Sequence, residues 1–178
     1  MDDLMPALHV CSLARLPEVV DTCGASHLVS LVSTDTPVQR PACIPADRHL
    51  LLSMHDIAEP LMGMVAPSSG HVEEFISFVE RWERAQPMVV HCWAGISRST
   101  AAAFIACCAL APERDEDEIA LALRSASPTA TPNRRLVAIA DEVLRRSGRM
   151  QMAAERIGRG AFAYEGEPFR LNIGVTRE

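Results

Sequence analysis

Short apolar runs alternate along the chain with longer stretches whose apolar positions recur every three or four residues. Leu8–Cys11, His27–Val32, Arg48–Ser53 and Pro87–Val90 are compact and rich in aliphatic residues, the pattern of strands buried on both faces. Between them, residues 12–23 read as a helix. So do residues 70–85, where Val72, Phe75, Ile76, Val79 and Trp82 share one face. Residues 33–47 form a Pro-containing loop. From Ser99 onward the period is helical. Ser99–Leu110 is Ala-rich, and three or four helices are expected after residue 98. Acidic residues 115–118 suit a helix N-terminus. Leu136, Ile139, Val143 and Leu144 continue the core face, and Gly148 is placed to close that helix. Strand–helix–strand crossovers make neighbouring strands parallel. The fold class expected is α/β, with a central, mostly parallel sheet of four to five strands flanked by helices. Residues 158–178 contain Gly and aromatic residues without helical period and read as an extended cover or tail.

One junction carries chemistry. The strand ending at Val90 runs into His91-Cys92-Trp93-Ala94-Gly95-Ile96-Ser97-Arg98-Ser99, and a helix follows at once. Such a turn aims backbone N–H groups and the positive end of a helix dipole into one concavity, an anion site of phosphate size. Cys92 lies where the helix end, the N–H groups and Arg98 favour a thiolate, the nucleophilic form. Arg98 can hold two phosphoryl oxygens with its planar fork. Gly95 permits a close approach or positive φ. Ser99 can donate to the sulfur when it must leave phosphorus, and His91 can order the loop from behind. The spacing Cys-x5-Arg alone is weak: Cys108 and Arg114 repeat it, without the strand or the glycine.

The segment 91–99 resembles the signature loop of cysteine-dependent protein tyrosine phosphatases, most closely the dual-specificity branch. More loosely, the resemblance runs over residues 8–147. It implies a phosphomonoester hydrolase acting through a phosphocysteine, with Trp93, Ala94, Gly95, Ile96, Ser97 and Arg98 around the phosphate. Residues 1–157 would form the phosphatase domain, with 158–178 as a C-terminal extension. It also implies an aspartate acid on a loop thirty to forty residues before the cysteine. Asp56 fits, and strand direction agrees: Asp56 follows one parallel strand and Cys92 ends another, so both reach the carboxyl rim of the sheet. Asp47 precedes its strand and falls on the opposite rim, while His55 and Glu59 are local rivals to Asp56. Asn133, in a Thr-Pro-Asn stretch, is either a residue packed near the loop, as in dual-specificity phosphatases, or an ordinary helix start.

Composition narrows the alternatives. The 178 residues suffice for one domain, and the net charge of −6 argues against a general nucleic-acid footprint. All 17 basic side chains are arginine, which excludes a lysine-dependent nucleotide loop and Schiff-base chemistry. Arginine and alanine bias together point to a GC-rich bacterial genome. The six cysteines lack metal-ligand spacing, and neither a signal segment nor a membrane-length apolar run is present. The expected setting is therefore the cytoplasm, with free thiols and no metal or organic cofactor. Partners would be a phosphorylated protein or a small phosphomonoester, with phosphate or sulfate able to occupy the loop. Phosphotyrosine is the default substrate. A non-catalytic phosphate-binding module, an inositol phosphate or nucleotide phosphatase, and sulfur transfer are the rival readings.

Overall fold

In the computed structural model, which describes residues 7–174, five strands form one sheet in the order β3-β2-β4-β1-β5. The strands are β1 (Ala7–Ser12), β2 (His27–Val32), β3 (His49–Ser53), β4 (Met88–Cys92) and β5 (Phe169–Asn172). β1, β2, β3 and β4 are mutually parallel, and β5 runs antiparallel against β1. The helices are α1 (Leu16–Cys23), α2 (Ser69–Glu80), α3 (Arg98–Leu110), α4 (Glu116–Ala126), α5 (Arg134–Val143) and α6 (Arg149–Ile157).

β4 is buried throughout because both faces of the sheet are covered. On one face, Val89 packs with Cys11, Leu28 and the apolar side of α1. On the other, Met88, Val90 and Cys92 pack under α3 with the remaining helices around it. α3 is buried on all sides, as its nearly unbroken apolar run requires. Ala101, Ala102, Ala103 and Ala106 let it pass close beneath its neighbours. The order of the chain through the sheet, out from β1 to β2 and β3 and back to β4, puts the ends of β1, β3 and β4 on one rim.

Four expected boundaries move, one of them the end of the second helix, which stops at Glu80 and leaves residues 81–85, Trp82 included, outside it. The first helix begins at Leu16, where Pro17 sits in the opening turn, and residues 13–15 form a turn instead. The fifth helix ends at Val143, short of Gly148. Arg145, Ser147 and Gly148 all take positive φ, and Gly148 precedes α6 rather than closing α5. The buried carboxylate of Asp141 holds that turn, accepting from the N–H groups of Gly148 (2.6 Å) and Met150 (2.8 Å). Residues 169–172 are an edge strand of the main sheet.

Candidate active site

Cys92 ends β4 and Arg98 begins α3, so residues 93–97 make the whole turn between them. What shapes this turn is where its carbonyls go. The Cys92 carbonyl faces His91 Nδ1 (3.3 Å), and that of Trp93 accepts from Leu13 N–H (3.1 Å). The Ala94 carbonyl accepts from Gly166 N–H (2.8 Å), that of Ile96 from Thr131 N–H (2.9 Å), and that of Ser97 from Asn133 N–H (3.2 Å). Thr100 Oγ1 donates to the last two as well. In a trans peptide the carbonyl and the next N–H point opposite ways. Tying the carbonyls outward therefore turns the following N–H groups inward. That of Gly95 reaches Cys92 Sγ at 3.3 Å.

Gly95 is required here twice over. Its φ is +71°, and a Cβ would sit 2.8 Å from the backbone of Cys11 and of Ser12. The loop is thus pressed directly onto the end of β1.

Cys92 is 2% exposed, and its sulfur also meets Ser99 Oγ at 3.1 Å. Two donors thus aim at one sulfur, an arrangement suited to negative charge. Arg98, 6% exposed, donates from Nη1 to the Met54 carbonyl (2.8 Å), while its Nε is buried without a hydrogen-bond partner. Met54 anchors the guanidinium by one corner and leaves its Nε edge for a ligand.

Behind the loop, burial pushes the His91 imidazole down to about 4, with His49 and Arg98 adding to the shift, so it is neutral near pH 7. Facing a carbonyl, Nδ1 must carry the hydrogen. Nε2 then accepts from Ser30 Oγ (2.6 Å), and Ser30 in turn accepts from His49 Nε2 (2.9 Å). A chain of three polar side chains across three strands thereby fixes the ring.

Asp56 lies past the end of β3, exposed, with both contacts on one oxygen. Its Oδ1 accepts from Ser97 Oγ (2.7 Å) and Asn133 Nδ2 (2.8 Å), while Oδ2 makes no hydrogen bond among the described residues. Asn133 also donates to the Ile57 carbonyl (3.3 Å), and its Oδ1 caps α5 by accepting from Leu136 N–H (3.0 Å). Both sequence readings of Asn133, helix start and neighbour of the loop, describe the same side chain. His55 instead closes the loop that bears Asp56. Its N–H donates to the Val65 carbonyl (2.8 Å), and its Nδ1 accepts from Val65 N–H (2.9 Å). Asp47 stands in the 3-10 turn before β3, on the far rim. Trp93 is 64% exposed, so its indole stands in solvent rather than in the core.

Sequence reasoning passed over Ser12, Ser30, Met54, Thr100, Thr131 and Gly166. Ser30 had a signal, as a lone hydroxyl in the otherwise apolar strand His27–Val32. The others act through backbone atoms or short contacts and leave none. Cys11 neighbours the catalytic strand on β1. It alternates to the opposite face of the sheet, where burial raises its thiol to about 12, and Ser12 lies beside Cys92 in the register. All six cysteines are free thiols. Among the described residues no cluster of three or more His, Cys, Asp or Glu could hold a metal ion, and no helix is long and apolar enough to cross a membrane.

Residues 62–129 match the family model for protein-tyrosine phosphatase. No curated protein sequence matches the chain. Among solved structures, the chain is similar to DUSP15, with a TM-score of 0.63 at 20% identity, covering 86% of this chain and 92% of that one. It is also similar to human DUSP28, with a TM-score of 0.59 at 20% identity over 87% and 98%. A mouse putative dual specificity phosphatase complexed with zinc tungstate gives 0.59 at 21% identity over 82% and 86%. Over residues 62–129, then, the chain matches the protein-tyrosine phosphatase family, and its fold is that of the dual-specificity phosphatases.

Proposed function

We propose that this chain hydrolyses phosphomonoesters, with phosphotyrosine in protein as the leading substrate, through a phosphocysteine on Cys92. The observation that carries the reading is the unpartnered, buried Nε of Arg98, on the same turn as a cysteine that already holds two donors. A buried donor without an acceptor costs about 1–3 kcal/mol, which a phosphoryl oxygen would recover.

The roles follow from position. The Cys92 thiolate attacks phosphorus in line with the ester oxygen. As the P–O bond breaks, Asp56 passes the proton on Oδ2 to the departing oxygen. The equatorial oxygens rest on the inward N–H groups and the free edge of Arg98, donors set in place before the reaction begins. In the second step water attacks phosphorus and Asp56 takes its proton. The S–P bond breaks toward a thiolate that Ser99 stabilises by donating to sulfur, and orthophosphate leaves.

Hydrolysis of an aryl phosphate from pH 5 to 8, with EDTA present, tests the reading directly. Wild-type turnover that disappears in Cys92→Ser is the expected result. Phosphopeptide binding without turnover by folded wild type would replace it with a phosphate-binding module, and thiosulfate turnover alone with sulfur transfer. Asp56→Asn separates the acid from its rivals. It is expected to slow alkyl phosphates far more than esters of acidic phenols, and equal losses on both would assign the proton elsewhere.

A further inference from the structure

Asp56 and Ser97 share a surface cavity of about 410 Å³ with Arg134, Gln151, Glu155 and Arg159. That volume lies within the usual range for a site receiving one chemical group or small ligand, about 300–1,000 Å³. Among the described residues, neither the Arg134 nor the Arg159 side chain makes a hydrogen bond or ion pair. Glu155 shares the rim without reaching either guanidinium in an ion pair. Two guanidiniums without an ion-pair partner thus line one small cavity, with the carboxylates of Asp56 and Glu155 on the same rim.

The backbone beneath both arginines is tied to the catalytic turn. Arg134 follows Asn133, whose N–H bonds the Ser97 carbonyl and whose amide bonds Asp56. Arg159 sits between two pinned glycines. The Gly158 carbonyl accepts from Arg124 Nη2 (2.8 Å), and Gly160 N–H donates to Thr131 Oγ1 (3.1 Å). Thr131 in turn bonds the Ile96 carbonyl. A Cβ on Gly160 would lie 2.5 Å from the Thr129 carbonyl carbon, so this turn is seated against residues 129–131.

We infer that Arg134 and Arg159 form a second anion subsite that binds a carboxylate or phosphate carried by the substrate close to the phosphate being removed. The inference rests on the phosphatase reading and narrows its substrate to phosphopeptides with acidic or phosphorylated neighbours. Because Asp56 and Ser97 line the cavity, a ligand joining it to the catalytic turn passes the acid, as an extended peptide can. Both guanidiniums bind the substrate and its transition state alike, so their effect falls on KM and leaves kcat in place.

The test compares two phosphotyrosine peptides of equal length, one with neutral flanks and one with glutamates on both sides. The full chain is compared with Arg134→Ala/Arg159→Ala and Arg134→Lys/Arg159→Lys. The wild type should favour the acidic peptide in kcat/KM by about fivefold to tenfold, as expected for two partly exposed charge contacts. That ratio should shrink as salt rises. It should fall to about one in the alanine pair through KM and survive in large part in the lysine pair. A wild-type ratio at or below one overturns the subsite, as does an alanine pair that keeps the preference. Absence of Cys92-dependent turnover on both peptides would overturn the phosphatase reading itself, and the subsite with it.

Discussion

Replacing Gly95 by alanine tests whether the catalytic turn is built as described. Two costs are separable. The first is conformational: an L-residue at φ +71° costs roughly 1–2 kcal/mol relative to glycine. The second is steric. The new methyl would stand 2.8 Å from the Cys11 carbonyl carbon and the Ser12 nitrogen, well inside van der Waals contact. Those atoms belong to β1, held there by its register with His91 and Cys92 of β4 and, further back, by β5, so they cannot withdraw. The turn must therefore move by about half an ångström, carrying with it the inward N–H groups proposed to hold the phosphate. Misplacement of about 1 Å can cost about a hundredfold in rate, so kcat/KM should fall by roughly tenfold to a hundredfold.

The stability loss should be about 2 kcal/mol, near 4–8 °C in Tm for a chain of this size. Gly24→Ala supplies the control. Gly24 has φ +64° at the end of α1, with nothing within 4 Å of a new Cβ. It should lose only the conformational part, and no activity. Aryl phosphate kinetics and thermal unfolding on both variants decide the matter. Wild-type kcat/KM in Gly95→Ala would refute the close packing of the turn on β1, and so would equal activity losses in the two variants.

Other expectations concern the neighbours of that turn. Ser99→Ala should slow release of the phosphocysteine by about tenfold to a hundredfold, the worth of a hydrogen bond to a charged atom. A stopped-flow burst of phenol equal to the enzyme present should then appear, and unchanged kcat without a burst would remove Ser99 from the second step. Asn133→Asp should keep the cap on α5 but set a carboxylate against Asp56. Tm should stay near wild type while hydrolysis of poor leaving groups drops, and equal loss on good leaving groups would contradict the link to the acid. His91 gives a pH dependence. Held neutral when folded, at about 4, and free to protonate near 6.5 when unfolded, it contributes stability above pH 6.5 that is lost as pH falls toward 4. The amount is about 3 kcal/mol, with His9, His27 and His49 shifted the same way by burial. The urea midpoint should drop further between pH 7.5 and pH 4.5 in wild type than in His91→Gln, and equal drops would refute it.

The local sequence by itself determined much of this protein. β2 and β4 are buried on both faces and could be read from nearly continuous aliphatic runs, β3 from Leu50–Leu52 although Leu51 proves exposed, and α3 from an apolar run too long for a strand. Cys92, Gly95, Arg98 and Ser99 stand within eight residues, and their spacing alone forces them into one turn between β4 and α3. Asp56 needed one step more, the inference that parallel strands deliver their ends to one rim.

What tertiary structure decided is everything bonded across distance. Which residues take the outward carbonyls of the turn depends on Leu13, Thr131, Asn133 and Gly166 arriving together, and all four bond those carbonyls through their backbone N–H. A backbone donor looks the same in every residue but proline, so no sequence pattern marks it. The same holds for the Met54 carbonyl that orients Arg98. It holds too for β5, four residues that become a strand only because β1 offers an open edge. The cavity with Arg134 and Arg159 has its walls on segments twenty-five residues apart in sequence. Only the packing of α5 against α6 brings those two charges to the side of the catalytic turn.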